Sequence, residues 1–255
     1  LGDTIQFSRF VIDLLRFTKN ITFVVNLKLN QILSYLSKDI FVTSYENLKT
    51  EKFDFQIPVC SLPKLLNIEK IKDINYYKLN INYTDKDLIS IDNNKLNVGL
   101  AWSGNKKYFL DSYRSIPFKY FENLLNIKDI NFDKLSKDVR EDEVGKLNLY
   151  PNLFDLGNKS FFEISQFLKN LDLVISADTS IIHLAGILNI NSILLLHYSY
   201  DWRWFDNSKT TVWYPSVKII KQNKFDIWDN VFSQLLEKIK KLNLEKQKTP
   251  RNFEE

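Results

Sequence analysis

Leu171-Asp172-Leu173-Val174-Ile175-Ser176-Ala177-Asp178-Thr179-Ser180-Ile181-Ile182-His183-Leu184-Ala185-Gly186 is the stretch whose reading decides the fold. Its first six residues form an apolar run of the length of a buried strand. A helical pattern follows over Ile181–Leu188, and Asp178, Thr179 and Ser180 are the residue types that start helices. A strand that passes through such a turn into a helix is the unit from which parallel α/β sheets are built. The N–H groups of the first helical turn have no partner inside the helix, so they point at whatever lies above the sheet edge. A negative charge there gains roughly 0.3–1 kcal/mol from the helix dipole, and the hydroxyls of Thr179 and Ser180 can donate to it as well. His183 lies close enough to reach a phosphate or a sugar hydroxyl. The same residues also read as a plain N-cap followed by a structural histidine, and both readings stand.

Outward from this unit the pattern repeats. Apolar strands are predicted at Val98–Trp102, Ile130–Leu135, Leu153–Leu156, Leu171–Ser176, Ile193–Leu196 and Val217–Ile220, with helices at Pro117–Leu125, Phe161–Leu168 and Ile181–Leu188 and a final one over Ile227–Leu242. Alternation of this kind implies parallel βαβ units and a Rossmann-like lobe. Upstream, Ile5, Phe7, Phe10, Val11, Leu14 and Leu15 give a helix over Thr4–Phe17. It is followed by strands at Ile21–Val25, Ile40–Val42 and Phe53–Val59 and a helix around Gln31–Leu36. The Asn-, Asp- and Lys-rich stretch from Asn67 to Asn94 has no clean period and marks the boundary between lobes. The expected division is residues 1–92 for the first lobe and 93–255 for the second.

Composition narrows the function classes. Hydrophobic residues make up 44% of the 255 and charged residues 26%, values of a folded protein rather than a disordered or membrane-spanning one. The net charge of +4 is interspersed, which does not indicate a bulk nucleic-acid binder. One cysteine and two histidines leave no disulfide framework and no Cys-based zinc site. No apolar run reaches the ~18 residues of a membrane span, and no signal peptide is evident, so a cytoplasmic location is expected. The sequence has no Met, and Leu1-Gly2-Asp3-Thr4 opens in the middle of a strand-to-helix turn, so it reads as a fragment or as a chain from which residues have been dropped.

Doubly wound sheets bind ligands beyond the carboxyl ends of their strands, which directs attention to three further segments. Ser103-Gly104-Asn105-Lys106-Lys107 follows a strand, and Arg114-Ser115-Ile116-Pro117 opens the next helix. Small residues let a backbone approach a phosphate, and Lys107 or Arg114 can offset its charge; the bland alternative is an ordinary loop with solvated lysines. Tyr198, Trp202 and Trp204 follow another strand and can stack on a nucleoside or sugar ring, or simply fill a core. Asp3 is placed to act as a base toward an acceptor hydroxyl, or to cap a helix. Asp85-Lys86-Asp87 looks like a metal-binding Asp-x-Asp motif but follows no strong strand and reads as solvated. No Walker loop, dinucleotide fingerprint or Gly-x-Ser-x-Gly elbow occurs.

In order along the chain, Gly2 through Arg9, Gly99 through Asn105, Arg114 through Pro117, Leu171 through Gly186, Asp201 through Trp204 and Trp213-Tyr214-Pro215 resemble bacterial glycosyltransferase-like domains found behind tetratricopeptide repeats. Those domains are relatives of the heptosyltransferases and, distantly, of O-GlcNAc transferase. The resemblance implies a GT-B fold of two Rossmann-like lobes facing a cleft and an inverting transfer with no cofactor and no obligatory metal. The donor would be a nucleotide diphosphate sugar and the acceptor a glycan, a lipid-linked glycan or a protein, with the enzyme cytoplasmic or peripheral to the inner membrane. It makes Asp3 the base and gives the diphosphate to Thr179 and Ser180, with Asp178 and His183 shaping the site. The family's first strand and its tetratricopeptide repeats would precede Leu1, which leaves the first lobe incomplete. A degenerate domain that binds nucleotides or glycans without turnover is the rival expectation; a nucleotide-sugar epimerase has no positive signal.

Overall fold

The computed structural model describes residues 1–48, 52–83, 92, 94–156, 159–205 and 209–248; Asp85-Lys86-Asp87 lies outside them. The chain begins with α1 (Gly2–Asp13), β1 (Ile21–Val25), α2 (Leu27–Leu33), β2 (Ile40–Ser44) and the short α3 (Leu62–Leu65). It continues through β3 (Leu96–Ala101), α4 (Asp111–Arg114), α5 (Glu122–Leu125), β4 (Ile130–Lys134), α6 (Glu141–Leu147) and β5 (Leu153–Asp155). After these come α7 (Phe161–Leu168), β6 (Leu173–Ser176), α8 (Ser180–Ile187), β7 (Ser192–Leu196), β8 (Val217–Lys221) and α9 (Asp229–Lys248).

Strands β1 and β2 pair in parallel. The other six form one parallel sheet in the order β5-β4-β3-β6-β7-β8. Counted from β3, that is the doubly wound order, with the chain stepping outward to β5 and then returning to the far side of β3. The switch point falls between β3 and β6, where Ala101 is in register with Ser176 and the Ala177 N–H donates to the Ala101 carbonyl at 2.7 Å. The turns leaving both strands therefore emerge side by side.

Every residue of β3, β6 and β7 is buried, as expected for strands covered on both faces. Alternation sorts them into two cores. Leu173 and Ile175 join Leu124, Trp228, Val231 and Leu235 on one face, whereas Val174 and Leu194 join Ile164, Leu168, Ile182 and Leu184 on the other. The second core is continuous with Ile5, Phe10, Phe23 and Ile32, so the N-terminal elements pack directly on α7 and α8.

Four details differ from the sequence reading. Phe53–Val59 is no strand: its alternation lacks a neighbour to pair with, and Phe55 is 94% exposed. The part of the polar stretch running through Leu79 and Ile81 is not loose, because both side chains are buried, the Leu79 N–H bonds Ile187, and the Tyr83 hydroxyl bonds Ser165. The helix expected over Pro117–Leu125 is a 3₁₀ turn at Phe118–Tyr120 followed by α5. α6 was not anticipated, since its only aliphatic β-branched residue, Val144, faces outward and no apolar period marks it.

Gly186 of α8 lies against the ring of the buried Tyr214, which a Cβ would overlap. Gly186→Ala gains up to ~1 kcal/mol in helix propensity. Displacing the ring costs about 1–3 kcal/mol, so the urea midpoint should fall. A raised midpoint would show that the ring shifts freely.

Asp133 of β4 is buried, and burial pushes its carboxyl up to about 7 from an ordinary 3.8. The folded chain therefore keeps a proton that the unfolded chain releases, and this group's contribution to stability is lost as pH rises from about 4 to about 7. Asp133→Asn should match the parent near pH 4 and exceed it at pH 8 by roughly 1–4 kcal/mol in chemical denaturation. Equal stabilities at both pH values would contradict this.

Candidate functional site

The turn after β3 is fastened from below. The Trp102 and Ser103 N–H groups donate to the Ser136 hydroxyl at 2.8 and 3.1 Å, and the Ser103 hydroxyl donates to the Asp138 carbonyl. The Gly104 N–H donates to Ser115 Oγ at 3.2 Å, and that hydroxyl donates to Asp111. Ser103 and Gly104 thus spend their donors internally. Asn105 and Lys107 are exposed, with Asn105 Oδ1 accepting from the Lys107 N–H. Arg114 crosses the switch point: Nε donates to Asp111 at 3.0 Å, Nη1 donates to the Asp178 carbonyl at 3.1 Å, and the guanidinium lies 4.6 Å from the centre of the Tyr108 ring.

The turn after β6 starts α8 by local chemistry. Thr179 is the N-cap, its Oγ1 accepting from the Ile181 N–H at 3.3 Å. Ser176 gives its only hydroxyl proton to the Ala177 carbonyl, so at the 3.2 Å contact between the two hydroxyls Thr179 is the donor. The Thr179 hydroxyl, expected to face the ligand, is therefore fully used in holding the turn. Ser180 is different: no described residue accepts from its N–H or its hydroxyl, and both remain for an outside partner.

Behind the turn sits a buried polar cluster. Asp178 Oδ2 accepts from the Trp204 indole at 2.9 Å, and Oδ1 stands 4.0 Å from His183 Nε2. His183 Nδ1 is 3.0 Å from the Tyr214 hydroxyl, and its ring stacks on Trp204 at 5.3 Å. Burial raises the Asp178 pKa despite the indole and the nearby Arg203 and Arg114. Burial, together with the positive charges of Arg203, Arg9 and Arg114, holds His183 well below its ordinary value, and it is neutral at pH 7. His183 therefore shapes the site from within and does not reach into it. Trp204, expected to stack on a ligand, is fully buried, whereas Trp202 two residues earlier is 66% exposed.

The N-terminus of α1 meets this cluster. A Cβ on Gly2 would come within 2.9 Å of His183 Cδ2 and 3.7 Å of Ser180 Cα, so only glycine allows the two helix starts to touch. Asp3 in the first turn accepts from Arg203 Nη1 at 2.6 Å. Farther along α1, Arg9 donates to the Trp213 carbonyl at 2.9 Å and lies 5.0 Å from the centre of the Tyr214 ring, which keys the helix to the second sheet. Asp3, Arg114, Asp178, Thr179, Ser180, His183 and Trp204 thus come together, with Asn105 and Lys107 on the outer lip. Tyr198 stands apart, beyond the ends of β7 and β8, beside a cavity of about 230 Å³ shared with Ser112, Tyr113, His197 and Gln222. Sequence reasoning did not single out Arg203, whose contact with Asp3 joins distant parts of the chain.

No protein-family model matches the chain, and no curated protein matches it in sequence. Solved structures match it in shape. E. coli ADP-heptose LPS heptosyltransferase II aligns over 96% of this chain and 96% of its own, with a TM-score of 0.62 at 9% identity. The chain is similar to this enzyme in fold. E. coli heptosyltransferase WaaC, solved with ADP-2-deoxy-2-fluoro heptose, aligns over 94% of this chain and 96% of its own, with a TM-score of 0.58 at 11% identity. A family 9 glycosyl transferase from Veillonella parvula aligns over 96% and 95%, with a TM-score of 0.60 at 10% identity. At such identities the likeness is one of fold alone.

Trp204→Phe removes the indole donor from a desolvated carboxylate. We expect a loss of about 1.5–3 kcal/mol at pH 8. The loss should shrink toward acid pH, because burial raises the Asp178 pKa and the indole supports only its charged form, which is given up as pH falls. Urea melts at pH 5 and pH 8 check this, and a loss of the same size at both would separate Trp204 from the Asp178 charge.

Proposed function

We propose that the chain is a metal-independent, inverting glycosyltransferase of the GT-B type, with residues 1–92 as acceptor lobe and 93–255 as donor lobe. Its donor is a nucleotide diphosphate sugar and its acceptor a hydroxyl of a glycan, a lipid-linked glycan or a protein. One observation carries this reading: a carboxylate, Asp3, stands where the starts of α1 and α8 touch, at the switch point of a doubly wound sheet. A base and an anion-binding turn side by side are what an inverting transfer requires.

In this mechanism Asp3 takes the proton of the acceptor hydroxyl as its oxygen attacks the anomeric carbon from the face opposite the diphosphate. The bond from that carbon to the diphosphate oxygen breaks, and the electron pair leaves with the diphosphate. The Ser180 N–H and hydroxyl, Arg114 and Lys107 receive the charge that develops there. The nucleoside lies toward Tyr198 and the cavity it shares with Tyr113 and His197. E. coli WaaC, which shares the fold, has been solved with ADP.

A second reading is favoured by the Asp3–Arg203 contact itself, since Asp3 Oδ1 is spent on a guanidinium at 2.6 Å and not left open to an acceptor hydroxyl. On that reading the chain is a degenerate domain that binds nucleotides or glycans without turnover. A thermal-shift panel of UDP, ADP, GDP and their sugars, followed by hydrolysis and transfer assays on each binder, tells the two apart. The transferase reading expects turnover that Asp3→Asn abolishes while donor binding is retained. Stabilisation without turnover in the parent chain would favour the binding module, and no shift with any nucleoside diphosphate would overturn both.

A further inference from the structure

Arg203 sits on a 3₁₀ turn, Trp202–Trp204, that is fixed on several sides. Asp201 Oδ1 accepts from both its backbone N–H at 3.1 Å and its Nε at 2.9 Å, and its carbonyl accepts from the Trp213 indole at 2.7 Å. The next residue, Phe205, has φ 48°, a left-handed conformation that a bulky side chain adopts only when its surroundings impose it. The backbone and inner edge of Arg203 are thus anchored. The outer edge is not: Nη1 holds Asp3, and no described residue accepts from Nη2.

The two partners are unequal. The Arg203 side chain is 19% exposed and the Asp3 side chain 54%. Burial works against the guanidinium charge, but the carboxylates of Asp3, Asp201 and Asp178 outweigh it and raise the Arg203 pKa. The cation is therefore permanent, placed between α1 and the start of α8, and its field reaches Asp178 and His183. Because the Asp3 end of the pair lies in solvent, its attraction is screened, and a more highly charged anion can take the guanidinium at little cost.

We propose that Arg203 is an exchangeable cation: it holds Asp3 until a donor binds, then turns its outer edge to the diphosphate at the start of α8 and so frees the carboxylate. This rests on the transferase reading and deepens it, because it reconciles a base that must be free with a carboxylate that is held. Arg203 acts as a positioning residue toward Asp3 and as a direct contact toward the donor. The order of events follows from the exchange, since Asp3 becomes available only where there is a sugar to transfer.

The test is a double-mutant cycle on the binding of UDP, ADP or GDP, whichever binds the parent chain best, read by calorimetry at fixed salt. Competition between Asp3 and the diphosphate for one guanidinium predicts that Asp3→Asn tightens binding roughly 3- to 10-fold and that Arg203→Gln weakens it about 10-fold or more. The decisive arm is the double variant, in which the gain from Asp3→Asn should disappear. Arg203→Lys, which keeps the charge, should restore part of both effects, and ligand-free melting of each variant verifies folding. An Asp3→Asn gain that persists without Arg203 would reduce the effect to general charge removal and overturn the exchange, as would no gain in the parent background. Either result leaves the transferase reading intact, whereas failure of the parent chain to bind any of the three nucleotides would overturn that reading and this one with it.

Discussion

A carboxylate taken out of water must be supplied with donors or give up its charge, and the site is organised around how Asp178 meets that demand. Its Oδ2 takes the Trp204 indole, its Oδ1 faces His183, and its backbone carbonyl takes Arg114. Each partner comes from a different segment: the 3₁₀ turn after β7, the body of α8, and the end of α4. One residue thus fixes the relative positions of three chain segments that converge at the switch point. Through the Trp204 and His183 stack and the Tyr214 hydroxyl, the same cluster supports the face of α8 against which Gly2 is pressed. Loss of this carboxylate's partners would therefore be felt at α1, far away in sequence.

The centre of the sheet was legible because β3, β6 and β7 are buried on both faces. A fully apolar run such as Leu173-Val174-Ile175 between turn residues leaves little alternative to a parallel strand. Where burial is one-sided or absent, pattern misleads: the alternating Phe53, Phe55 and Ile57 look like a strand, yet no partner strand supplies the hydrogen bonds to make one. The site was legible as a set of segments but not as a set of contacts. Trp202 and Trp204 look equivalent in sequence, and only the turn that places one outward and one inward separates them. Thr179 and Ser180 are likewise both good helix starters, and the path of the Ser176 proton decides that only Ser180 keeps its donors free. The partner of Arg203 across the site could not be read, because Asp3 lies at the other end of the chain.

The charges around the site explain why it would discriminate among anions. Each guanidinium that faces it is already committed: Arg114 to Asp111, and Arg203 to Asp201 and Asp3. An arriving anion gains only the difference between its own attraction and that of the carboxylate it competes with, and at equal distance one negative charge cannot displace another to advantage. Two linked phosphates can, because they bring more charge and can span the Ser180 N–H and a guanidinium at once. On the transferase reading, the paired carboxylates set a threshold that a lone carboxylate does not pass. Selectivity for a diphosphate would then arise from this prior pairing of the site's own charges, without a pocket shaped to the ligand.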